Sequence, residues 1–232
     1  MTVRVAMWSG PRNISTAMMR SFGARGDCVV VDEPLYAHYL VATGLDHPAR
    51  DEVIASQPTD WAIVVAGLTR DEPAPVYYQK HMTHHLLPDI GRDWLSEVDN
   101  AYLIRHPAHV VASYAKVRGE PTLDDLGYVQ QAEIFQAYGG PVIDAAAVLR
   151  DPAGVLSRLC AALGIAFDDA MLHWPPGRRD TDGVWAPHWY AAVESSTGFG
   201  PPSDAPATVP DRLRHLVDAA QPYYDELAAH AL

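Results

Sequence analysis

Short apolar stretches at residues 3–8, 28–31 and 101–104 each stop at a polar or proline-bearing turn that leads into a stretch of helical composition. The turns are Ser9-Gly10-Pro11, Asp32-Glu33-Pro34 and Arg105-His106-Pro107. Residues 76–80 are a further strand candidate, and a weaker one at 142–143 precedes Asp144 and the helical run 152–163. Parallel strands need a crossover between them, and a helix after each strand supplies it. The pattern therefore predicts an α/β fold, a three-layer αβα arrangement with a mostly parallel sheet. At 232 residues a single domain over 1–232 is expected. Proline and glycine make residues 174–210 loop-rich, as in a lid. A C-terminal helix is expected over about 211–229, carrying Leu213, Leu216, Val217 and Leu227, with Pro222 as a point where it kinks or splits.

With 29 acidic against 17 basic residues the net charge is −12, which disfavours nucleic acid and anionic membranes as partners. A local positive pocket for an anionic ligand is still compatible with that envelope. Cys28 and Cys160 have neither disulfide-framework nor CxxC spacing and read as core thiols. The N-terminal residues lack the long apolar run of a signal peptide and no stretch approaches membrane-spanning length, so a cytoplasmic chain is expected. Oligomeric state is not legible.

A strand feeding Ser9-Gly10-Pro11-Arg12-Asn13-Ile14-Ser15-Thr16 into a helix leaves amide N–H groups aimed where a phosphate or sulfonate can accept them. Arg12 adds a permanent cation, and Ser15 and Thr16 either donate hydroxyls to the anion or cap the helix themselves. The nucleotide-hydrolase pattern GxxxxGK[ST] is absent, since the second glycine and the lysine are missing.

Taken in order, four segments resemble the signature regions of the sulfotransferase family, which uses 3′-phosphoadenosine 5′-phosphosulfate as co-substrate. The first, Pro11-Arg12-Asn13-Ile14-Ser15-Thr16, is similar to the family's Pro-Lys-Ser-Gly-Thr-Thr, with Arg12 in place of the phosphosulfate-binding lysine and Ile14 in place of a glycine that can take φ > 0. The second, His81-Met82-Thr83-His84-His85-Leu86-Leu87-Pro88, resembles the family's histidine segment; it implies His81 as the base that takes the acceptor's proton, with Lys80 steadying charge on the bridging oxygen. The third, from Leu103 to Tyr114, resembles the 3′-phosphate region, with Arg105 and Ser113 eight residues apart as in the family. The fourth, Arg178-Arg179-Asp180-Thr181-Asp182-Gly183-Val184-Trp185, is similar to the family's late Arg-Lys-Gly-x-x-Gly-x-Trp loop; it implies that Arg178 and Arg179 clamp the 3′-phosphate, while Trp185 packs over the adenine or anchors the loop.

The resemblance implies a P-loop-like fold and sulfuryl transfer to a hydroxyl or amine of a small-molecule acceptor, with Gly10 to Thr16 holding the 5′-phosphosulfate and no metal required. Glu33 competes with His81 as base, because it sits just past a strand end, where open α/β sheets place ligands. His81 and His85 also have an i, i+4 spacing, but without an HExxH glutamate zinc is a minor reading. A P-loop kinase or nucleotide hydrolase, or a catalytically inactive nucleotide-binding protein, are the alternative functions.

Overall fold

The computed structural model describes residues 2–118, 120–202 and 205–232; Met1, Gly119, Ser203 and Asp204 lie outside the described residues, the last two within the loop-rich stretch at 174–210. All five strand candidates form: β1 (Val3–Ser9), β2 (Cys28–Asp32), β3 (Val76–Met82), β4 (Asp99–Ile104) and β5 (Val142–Asp144). They make one parallel sheet in the order β2-β3-β1-β4-β5. From central β1 the chain first builds outward to β2 and β3 and then crosses to the other side for β4 and β5. That reversal opens a crevice at the carboxyl ends of the strands beside β1, where ligands of open α/β sheets bind.

Strand alternation splits the core into the two outer layers. Val5 and Met7 face one side and pack with Met18 and Phe22 of α1 (Ser15–Gly23), Leu40 of α2 (Tyr36–Thr43) and, across the sheet, residues that belong to a later helix pair. Ala6 and Trp8 face the other side. There they meet Val64 and Leu68, which belong to the second of two helices absent from the sequence reading, α3 (Arg50–Ser56) and α4 (Trp61–Thr69). Beyond β4 the chain forms α5 (Pro107–Arg118), α6 (Leu123–Leu126) and α7 (Tyr128–Tyr138). After β5 come α8 (Ala145–Arg150) and α9 (Pro152–Ala162), whose Val155 and Leu159 complete the first layer. Two short turns of helix, α10 (Ala186–Trp189) and α11 (Ala191–Glu194), precede the long α12 (Arg214–Ala228), which runs unbroken through Pro222 and sends Leu227 into the second layer.

Residues 123–138 form two helices in place of one continuous one. Gly127, at φ 73°, closes α6 in the left-handed region, which glycine enters without a Cβ penalty, and α7 restarts from it. The corner so formed presses on the opening loop: a Cβ added at Gly10 would lie 2.5 Å from the Leu126 carbonyl oxygen. Gly10 is therefore a close-approach glycine, and the loop's position over the sheet depends on it.

Candidate active site

The loop after β1 contains a left-handed residue, but at Arg12 (φ 56°) and not at Ile14, whose φ is −91°. The turn thus keeps its positive-φ position two residues earlier than the family resemblance implies, on a residue with a side chain. Asn13 fixes it from both ends, accepting from the Ile14 amide at 2.9 Å and donating to the Leu103 carbonyl of β4 at 3.0 Å. No side chain caps the start of α1, so neither Ser15 nor Thr16 acts as the cap and the first-turn amides stay open to an anion.

Arg12, Arg105 and Ser113 come together as the spacing implies. Arg12 Nε donates to Ser113 Oγ at 3.1 Å, and Arg105 donates to the Arg12 carbonyl at 2.5 Å. Tyr128 of α7 holds the Arg105 carbonyl at 2.6 Å. Among the described residues neither guanidinium forms an ion pair with a carboxylate. Burial, reinforced by the Arg12 charge, lowers the Arg105 pKa.

At the β2–β3 side the arrangement is the reverse. Asp32 and Lys80 are register partners on adjacent strands, so their side chains emerge side by side. Glu33 has φ 41°, and this left-handed residue breaks the strand alternation so that its carboxylate reaches the same lysine. Lys80 Nζ lies 2.9 Å from Asp32, 2.6 Å from Glu33 and 2.6 Å from the Tyr190 hydroxyl, which uses all three of its protons. Tyr190 in turn reaches Asp32 at 2.7 Å and accepts from Trp185 Nε1 at 3.1 Å. Burial, and then the Asp32 charge working against the Lys80 attraction, raise the Glu33 pKa. Burial alone would lower Lys80, but the two carboxylates more than offset it and hold the ammonium raised.

Both groups line one cleft of about 430 Å³, together with Pro11, Asn13, Ile14, Ser15 and Thr16. Its further walls come from Tyr36, His47, His84 and His85 on one side and from Trp189 and Phe199 of the loop-rich stretch on the other. His84 and His85 are at the cleft; His81 is not. The sequence reading ends this strand at residue 80, whereas β3 continues to Met82, and Lys80 and His81 point to opposite faces of the sheet. His81 is buried, stacks on Trp8 with ring centroids 4.3 Å apart, and burial pushes its pKa down to about 3. The helix face that would pair His81 with His85 does not exist, since Thr83–His85 is a single 3-10 turn.

Arg178, Arg179 and Trp185 also stand away from the cleft lining. Arg178 is exposed, while Arg179 donates to the Pro175 carbonyl and Trp185 is buried in the core. The physical reason is Asp182, a residue without a role in the sequence reading. It makes a buried two-pronged ion pair with Arg20 of α1, at 2.5 and 2.6 Å, and accepts from the Arg179 amide at 2.7 Å. The next residue, Gly183, donates its amide to Asp32 at 3.1 Å. The segment is thereby fastened to α1 and to the carboxylate cluster. Among the described residues no group of three or more His, Cys, Asp or Glu side chains is close enough to hold a metal ion, and no helix is long and apolar enough to cross a membrane.

Two curated Arabidopsis thaliana proteins, branched-chain-amino-acid aminotransferase-like proteins 1 and 2, are 39% and 35% identical over 229 residues, covering 96% of this chain. The chain spans only 41% of the length of each. Among solved structures, a sulfotransferase from Alicyclobacillus acidocaldarius superposes with a TM-score of 0.55 at 12% identity, covering 99% of this chain and 95% of the other. The sulfotransferase domain of the Synechococcus PCC 7002 olefin synthase gives 0.54 at 17% identity, covering 94% and 95%. At these identities the two structures speak for the fold. A sulfotransferase domain model matches residues 3–231, nearly the whole length, and the chain belongs to the sulfotransferase family.

Proposed function

We propose that this chain transfers a sulfuryl group from 3′-phosphoadenosine 5′-phosphosulfate to a hydroxyl of a small molecule, with Glu33 as the general base. The observation that carries the reading is the pair of unmatched guanidiniums, Arg12 and Arg105, beside an uncapped helix start in the same cleft as a buried carboxylate of raised pKa. The donor set suits a nucleotide with two separate anionic groups: the loop amides and Arg12 for the 5′-phosphosulfate, Arg105 and Ser113 for the 3′-phosphate. The nucleotide supplies the activated sulfur.

The acceptor oxygen attacks that sulfur in line, and the bond from sulfur to the bridging oxygen breaks, its electron pair leaving with adenosine 3′,5′-bisphosphate. Arg12 stabilises the charge arriving on the departing phosphate. Glu33 takes the acceptor proton; its raised pKa brings its basicity nearer to neutral pH, where a general base is most effective. Lys80 and Tyr190 keep that carboxylate in place. Trp189 and Phe199 wall the cleft and limit water.

Thermal unfolding with adenosine 3′,5′-bisphosphate against ATP plus magnesium tests the nucleotide assignment. The bisphosphate is expected to raise the melting temperature in proportion to the logarithm of its concentration. A response to ATP with magnesium and none to the bisphosphate would overturn the reading.

A further inference from the structure

Glu33 and Lys80 alone would make a closed ion pair, and a carboxylate fully engaged by a buried ammonium is a poor proton acceptor. Asp32, the last residue of β2, prevents that closure. Its Oδ1 accepts from Lys80 Nζ at 2.9 Å while Glu33 accepts from the same atom at 2.6 Å, so one ammonium is divided between two carboxylates. Tyr190 adds no charge, because burial and the Asp32 charge hold its pKa well above the ordinary phenol value. Two carboxylates against one ammonium leave the cluster one net negative charge. Asp32 cannot swing aside: its Oδ2 accepts from the Gly183 amide at 3.1 Å and from the Tyr190 hydroxyl at 2.7 Å. Glu33 lines the cleft and Asp32 does not, so Asp32 reaches the chemistry only through its neighbours.

We propose that Asp32 is a positioning residue for Glu33: it keeps Lys80 from pairing fully with that carboxylate, so that Glu33 is held in place and still free to take a proton. The proposal rests on Glu33 being the base. Burial first, and then repulsion from Asp32, raise the Glu33 pKa against the attraction of Lys80. The Tyr190 hydrogen bond acts in the same direction as Lys80. The other titratable or charged groups lining the cleft are Arg12 and Arg105 at its nucleotide end and His47, His84 and His85 along its wall. A second buried carboxylate beside an ion pair that is already complete costs stability, and its use here is to preserve the basicity of its neighbour.

A titration of the full chain without nucleotide or acceptor reads this directly. Protein isotope-labelled at the glutamate side-chain carboxyl carbon is followed by NMR, and the Glu33 resonance is the one missing from Glu33→Gln. In the wild type it is expected to titrate above the ordinary carboxylate range. Asp32→Asn removes one charge with little change of shape; Lys80 is then left to Glu33 alone, the ionised form gains, and the Glu33 titration is expected to move to lower pH. Asp32→Glu returns the charge and is expected to return the raised titration. A Glu33 titration that stays in place in Asp32→Asn overturns the proposal even if that variant melts earlier, since a merely structural aspartate would cost stability without moving it. Should Asp32→Asn fail to fold, Asp32→Glu decides: a raised titration supports the proposal, and one at the ordinary glutamate value overturns it. Single-turnover sulfuryl transfer to phenol separates this inference from the base assignment. If the titration shifts as described while Glu33→Gln transfers as fast as the wild type, the coupling of Asp32 to Glu33 stands and the base assignment is what fails.

Discussion

The two ends of the cleft handle positive charge in opposite ways. Over β1 and β4, Arg12 and Arg105 are held to each other and to Ser113 by hydrogen bonds that leave their charge unanswered. Over β2 and β3, Lys80 is answered twice by carboxylates and once more by a phenol. The count of basic residues in a cleft is thus a poor guide to where an anion binds. What matters is whether the protein has already supplied the counter-ion, because a saturated lysine in a buried cluster holds its neighbours still and an unsaturated arginine waits for a ligand.

Four measurements would break or sharpen that contrast. The largest effect is expected from Glu33→Gln. Single-turnover transfer should slow by roughly 10²–10⁴-fold, the usual contribution of a general base, while calorimetry gives an unchanged affinity for adenosine 3′,5′-bisphosphate. Loss of nucleotide affinity would mean the two ends are not separate. Asp182→Ala comes next, since it strands the Arg20 charge in the core; urea unfolding should show a loss of about 3–5 kcal/mol. A change near zero would show that the loop from Arg178 to Trp185 is not fastened through this pair.

Arg105→Ala should behave as the mirror image of the Glu33 variant. Its affinity for the bisphosphate should fall by about 1.5–3 kcal/mol, the worth of hydrogen bonds to a charged group, with turnover at saturating nucleotide little altered. A collapse in saturated turnover would assign Arg105 to the chemistry instead. The smallest effect concerns pH. As a base Glu33 works ionised, so kcat/KM should be present above its raised pKa and be lost as pH falls through it, at a pH above the ordinary carboxylate range. Tyr190→Phe removes a hydrogen bond that lowers this pKa, so the acid limb should move to higher pH. A limb at the ordinary glutamate value in the wild type would remove Glu33 from the role.

Much of this arrangement is readable from the chain, and the unread part has a common cause. The strands declare themselves through β-branched runs ended by turns, and Arg12, Arg105 and Glu33 are legible because each lies directly after a strand in a parallel sheet. α4 escapes because its sequence, Trp61-Ala-Ile-Val-Val-Ala-Gly-Leu-Thr, is apolar on every side and rich in β-branched residues, so it carries no helical periodicity. His81 misleads because its role depends on where β3 stops: two residues more of strand turn its ring toward Trp8 and leave Lys80 facing the carboxylates. Asp182 and Tyr190 are beyond local reading altogether. Their partners Arg20 and Asp32 are 162 and 158 residues away in the chain, and only the fold brings them together.

Arg12 and Glu33 share one further property, a left-handed backbone, which costs a residue with a side chain on the order of 1–2 kcal/mol relative to glycine. Substitution to glycine would relax both turns and remove both functional groups. Selection for heat resistance alone would therefore drift toward glycine at these two positions and erase the cleft's two opposing chemistries first. A thermostabilised variant that retains Arg12 and Glu33 would have to draw its gain from elsewhere in the molecule.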